Sequence, residues 1–127
     1  MATTPNFASS PRASFAVINT ANTNRDGTGT IVTVFNAGPQ GSRIETIEVI
    51  AIGATTNNVV RIFLNDGTNT RLYDEILISA STPSTTEKVQ RHSLVFTYNF
   101  VLPPGWSIRA STNNAESYVV LVTGGDF

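Results

Sequence analysis

From residue 15 onward the chain changes between apolar and polar residues with a period of two, broken every few residues by Gly, Asn, Asp or Pro. Successive side chains of an extended strand point to opposite faces, so this rhythm predicts strands and not helices. Eight segments rich in Val, Ile, Thr, Phe and Tyr stand out: 15–19, 30–36, 43–52, 59–65, 70–79, 89–100, 107–112 and 117–123. Val60, Ile62 and Leu64 alternate with Arg61 and Asn65, the pattern of a sheet with one buried face. Between His92 and Phe100, alternate positions again differ in polarity, and Trp106, Ile108 and Ala110 oppose Ser107 and Arg109. Residues 47–52 are apolar at nearly every position, which predicts a strand covered on both faces by a second sheet, an arm or a neighbouring subunit.

The joints between segments carry turn chemistry. Asn65-Asp66-Gly67-Thr68-Asn69 places Asp-Gly, tolerant of positive φ, between two alternating runs and predicts a β-hairpin. No helical stripe of useful length lies between the strands. The expected fold is all-β: an eight-stranded antiparallel β-sandwich, jelly-roll-like in wiring, over residues 15–127, with strand order left open. Residues 1–14, broken by Pro5 and Pro11, read as an extended N-terminal arm. In that arm Phe7 and Arg12 are the candidate binding residues, Phe7 for an apolar pocket and Arg12 for an acidic group on a partner. Deleting 1–14 is expected to spare the fold and weaken binding.

Composition narrows the function classes. The chain has 127 residues, room for one domain. Its 18 Thr, 12 Asn and 11 Ser outnumber its charged residues. With 40% apolar residues and a net charge of -1, the composition suits a folded core and not a disordered segment. Eight basic residues, scattered singly, give no counterion-releasing patch, so nucleic acid is not an expected partner. No secretory leader and no apolar run of spanning length is visible, so neither secretion nor a membrane is expected.

Catalytic chemistry finds little material. There is no cysteine and one histidine, His92, which sits within a strand pattern and reads as a half-buried or interface residue. The carboxylate pairs Glu45/Glu48 and Asp74/Glu75 have spacings that place their members on opposite strand faces. The loops 65–69 and Gly124-Gly125-Asp126 offer one carboxylate each, fewer than a dedicated calcium site gathers. No phosphate-binding glycine pattern occurs. The protein is expected to be no enzyme and to need no cofactor or metal. Tyr73, Tyr98, Trp106 and Tyr118, with abundant Asn and Thr, could form a sugar-stacking surface or simply pack in the core.

Val59-Val60-Arg61-Ile62-Phe63-Leu64-Asn65-Asp66-Gly67-Thr68-Asn69, continuing to Leu72-Tyr73-Asp74-Glu75-Ile76, and Leu102-Pro103-Pro104-Gly105-Trp106-Ser107-Ile108-Arg109-Ala110-Ser111-Thr112, with the ending Gly124-Gly125-Asp126-Phe127, resemble small virion proteins of tailed bacteriophages and prophages. The likeness covers about residues 40–127. It implies a capsid cement, or decoration, protein: a jelly-roll-like module, made in the bacterial host cytoplasm, that sits as a homotrimer on the outer capsid surface of the virion and bridges neighbouring copies of the major capsid protein. The family implies contacts and carries over no catalytic residue. The alternative is a trimeric tail-fibre or spike module that binds host-surface carbohydrate.

Overall fold

The structure is a computed structural model that describes residues 10–89 and 91–127, with the backbone alone for 94–99. Among the described residues there are eight strands and no helix: β1 (Ser10–Ile18), β2 (Val32–Asn36), β3 (Ser42–Ala51), β4 (Asn58–Asn65), β5 (Thr70–Ile78), β6 (Arg91–Leu102), β7 (Ser107–Thr112) and β8 (Tyr118–Asp126). They form two four-stranded sheets, ordered β1-β8-β3-β6 and β2-β7-β4-β5. The pairs β1/β8, β2/β7, β3/β6 and β4/β5 are all antiparallel neighbours. The chain is thus doubled back at the β4–β5 hairpin and the doubled ribbon is rolled into two layers, which is jelly-roll wiring.

The hairpin forms as its residues dictate. Gly67 has φ +98°, and the side-chain oxygen of Asp66 accepts the N–H groups of Thr68 and Asn69. These bonds hold the Asp66 carboxyl below its ordinary pKa and commit it to the turn. The core lies between the sheets and is built from alternate residues: Ile47 and Val49 of β3, Val60 and Ile62 of β4, Ile108 and Ala110 of β7, and Tyr118, Val120 and Val122 of β8.

Strand β3 changes phase partway. Ser42 and Ile44 are buried, then Ile47, Val49 and Ala51. The switch from even to odd positions is a bulge at Glu45, where the register with β8 slips between Ile44 and Thr46. As a result Glu45 is exposed and Glu48 also lies off the core, bonded to Arg91, so this pair does not divide between the two faces as its spacing predicts. The bulge also corrects the reading of 47–52. Only the Ile47, Val49 and Ala51 face is covered by the second sheet, and Ile52 is 53% exposed.

The start of the sandwich differs from expectation as well. Residues 10–14 are no arm but the first half of β1, in register with 122–126 of β8. Proline at position 11 is compatible with a strand here because β1 is an edge. The edge is closed by side chains: Ser14 Oγ donates to the Val34 carbonyl at 2.6 Å and Arg12 Nη1 to the Asn36 carbonyl at 2.8 Å, which satisfies acceptors on β2, the adjoining edge of the other sheet. Gly124 and Gly125, read as a loop, are strand residues. A Cβ on Gly124 would lie 2.0 Å from the Arg43 carbonyl oxygen, so a bare backbone is what lets β8 pass β3 there.

Candidate functional site

Two surfaces stand apart from a conventionally polar exterior. The first is the outer face of the β1-β8-β3 sheet. Register aligns Phe15 with Leu121, and Val17 with Val119 and Ile50. Ile52 continues the surface, its N–H bonded to the Ser117 carbonyl. Phe15 is 71% exposed and Val17 46%, while Val119, Leu121 and Ile50 are half-buried by their neighbours. The rim is polar: Glu48 pairs with Arg91, and the hydroxyls of Thr46 and Thr123 meet. An apolar patch with a polar rim has the anatomy of a protein contact surface.

The second is a groove of about 600 Å³ on the outer face of the other sheet. The segment 19–31 crosses that face, with Arg25 reaching Glu75 on β5 and Gly27 lying against the backbone of Thr70. Arg61 and Phe63 are therefore buried on the side that alternation assigned to solvent. Arg61, 3% exposed, is matched by the Glu75 carboxylate at 3.1 Å, the Asn22 carbonyl and the Asn113 side-chain oxygen. The crossing segment leaves Val59 half-buried and Leu77 exposed, and these two cross-strand neighbours floor the groove.

The residues singled out from sequence fall differently. Phe7 lies outside the described residues. Arg12 is engaged within its own chain: Nη1 lies 3.2 Å from Asp126 Oδ1, and the guanidinium carbon sits 4.3 Å from the centre of the Phe35 ring. It braces the two sheets from within the chain. The side-chain oxygen of Asp126 also accepts the Ser42 hydroxyl at 2.6 Å. Among the described side chains the aromatic residues do not assemble a sugar platform: Tyr118 is fully buried, Trp106 packs against the core, and Tyr73 lies beside Phe100 with ring centres 5.2 Å apart, while the side chain of Tyr98 lies outside the described ones. His92 is half-buried in β6, in register with Val49 of β3. Glu75 is held by Arg25 and Arg61. No group of three or more His, Cys, Asp or Glu that could hold a metal, and no helix long and apolar enough to cross a membrane, occurs among the described residues.

Sequence reasoning did not assemble this apolar face because Phe15 and Leu121, and Val17 and Val119, lie more than one hundred positions apart. The only available signal was the apolar residue on the second face of each strand.

No protein-family model matches the chain, and no curated protein does. Among solved structures, a pentameric capsid protein isolated from metagenomic phage sequences is similar at 19% identity over 88% of this chain and 62% of that one, with a TM-score of 0.41. A second structure of such a protein is 18% identical over 88% of this chain and 60% of that one, with a TM-score of 0.39. This chain spans about three fifths of the length of those proteins.

Proposed function

We propose that the protein is a structural virion component of a tailed phage, a cement protein that docks on the outer capsid surface as a homotrimer and strengthens contacts between copies of the major capsid protein. It performs no catalytic step. The observation that carries this reading is the uncovered apolar face of the β1-β8-β3 sheet, with Phe15 and Ile52 more than half exposed. Leaving such a patch in water favours association, and a surface of strands is rigid enough to present it without an ordering cost. The family resemblance in 59–76 and 102–112 supplies the partner. A module that binds assembled capsomers and not free subunits stabilises the shell by linkage, and many weak contacts then act together. Phe7 belongs to the same reading as a second apolar anchor just ahead of β1.

The test is binding to heads stripped of accessory proteins. Phe15→Asp should keep the wild-type melting temperature, since the side chain is outside the core, and weaken decoration by more than tenfold. Copy number on the virion should approach that of the major capsid protein. Undiminished binding by Phe15→Asp, or a copy number fitting a fibre, overturns the reading.

A further inference from the structure

The groove beside segment 19–31 has the make-up of a ligand site, and its chemistry specifies a class. Its floor is the apolar pair Val59 and Leu77, the latter 76% exposed. One wall carries Arg25, Arg61 and Asn113, and Asn57 lies at the end of the β4–β5 pair. The two guanidinium groups share one carboxylate oxygen: Arg25 Nε lies 2.9 Å and Arg61 Nε 3.1 Å from Glu75 Oε2. In this contact two guanidinium groups meet one carboxylate oxygen. Arg61 is consumed by buried partners. Arg25 is different, because only its Nε is engaged among the described residues and its side chain is 60% exposed. Its two terminal nitrogens are thus the donors available to an incoming anion.

We infer that this groove binds a carboxylate-bearing sugar, a hexuronic acid unit of an anionic polysaccharide, with the Arg25 guanidinium on the carboxylate, the Asn57 side-chain amide group, whose oxygen already accepts the Ala80 N–H, beside the hydroxyls, and the Val59–Leu77 floor under the C–H face of the ring. Each part of the lining matches one part of that ligand. A neutral sugar leaves the terminal nitrogens of Arg25 without an anion, and a simple carboxylate such as acetate leaves the floor and the Asn57 amide unused. The volume lies within the roughly 300–1,000 Å³ usual for small-molecule sites. The site lies on the sheet opposite the proposed docking face, so it does not depend on that reading and stays open when the other face is covered.

The experiment is a nuclear magnetic resonance titration of the isotope-labelled full chain with glucuronate, glucose, acetate and an acidic tripeptide. Glucuronate should produce saturable shifts confined to Arg25, Val59, Leu77 and Asn113, with dissociation constants on the order of millimolar. Glucose and acetate should bind at least tenfold more weakly. Arg25→Ala, whose side chain is mostly exposed, should retain the fold and reduce glucuronate binding to the glucose level, and Leu77→Asp should abolish it. Absence of localised shifts, an equal response to acetate, equal or tighter binding of the tripeptide, or an undiminished response in Arg25→Ala overturns the assignment.

Discussion

The hydroxyl of Tyr118 ties the two sheets together at one end of the sandwich. It donates to Glu116 Oε1 at 2.7 Å and accepts from Asn58 Nδ2 at 3.0 Å, and Asn58 also reaches Thr112. Burial pushes the phenol up from 10.0 to about 12, with the neighbouring carboxylate adding to the effect. The folded state therefore holds this proton more tightly than the unfolded chain does. Its contribution is fully present below pH 10 and is lost as the pH climbs towards 12. Tyr118→Phe should cost about 1–2 kcal/mol at neutral pH, where Asn58 loses an acceptor, and should remove the alkaline loss of stability. Urea midpoints from pH 8 to 12 check this, and an unchanged alkaline slope contradicts it. The Glu116 carboxyl behaves in the opposite sense. Burial tends to raise it, but hydrogen bonds from Thr56, Tyr118 and Asn58 together hold it below its ordinary value, so its share of stability is present near neutrality and fades on acidification. Tyr118 was legible as a core residue from its parity with Val120 and Val122, a better guide than its chemistry, which suggested a sugar platform. Arg12 offered no such guide, because its partner Asp126 is 114 positions away.

At the level of elements, Glu45 acts through its presence and not through its side chain. It is the extra residue that lets Ser42 and Ile44 face inward on one side of the bulge and Ile47, Val49 and Ala51 on the other. Glu45→Ala should melt within a few degrees of the wild type, whereas deleting residue 45 should abolish soluble expression, because a one-residue slip turns a buried set outward. Equal behaviour of the two variants would show that β3 tolerates either phase. The structure also revises the truncation test. Removing 1–9 leaves Ser10–Ile18 in the chain, but removing 1–14 takes Arg12 and Ser14 away from the β2 carbonyls, and should lower the melting temperature by more than about 5 °C, the scale of at least 1 kcal/mol in a domain of this size. Equal melting of the two truncations would mean that these edge contacts contribute nothing. All eight strands were visible as periodicity, since alternation is local. Their ends were not: Pro11 and the Gly124-Gly125 pair read as strand breakers until the edge position of β1 and the close pass of β8 over Arg43 are known.

For the molecule as a whole, the fold class follows from many short strands and turn residues, whereas strand order rests on pairings between distant segments that no local pattern reports. The candidate surfaces lie at the same remove, since each is assembled by side chains from several strands. The homotrimer belongs to the same proposal and is tested apart from the capsid contact: light scattering of the purified protein should give the mass of a trimer, and Phe15→Asp, on the face proposed to meet the capsid, should leave that mass unchanged. A monodisperse wild-type monomer at high concentration, with no trimer on the virion, would rule out the oligomeric part of the proposal.

The nested pairing of strands also orders events in time. Closing the β4–β5 hairpin joins residues a few positions apart, and each pair formed shortens the loop the next must close, so entropy favours a zipper that runs outward from Asp66-Gly67. Strands β1 and β8 meet last, and they supply Phe15, Val17, Val119 and Leu121 to the outer apolar patch. A nascent or half-folded chain therefore has no such patch to offer. Under the proposed function, an assembled shell would therefore recruit only molecules that have finished folding.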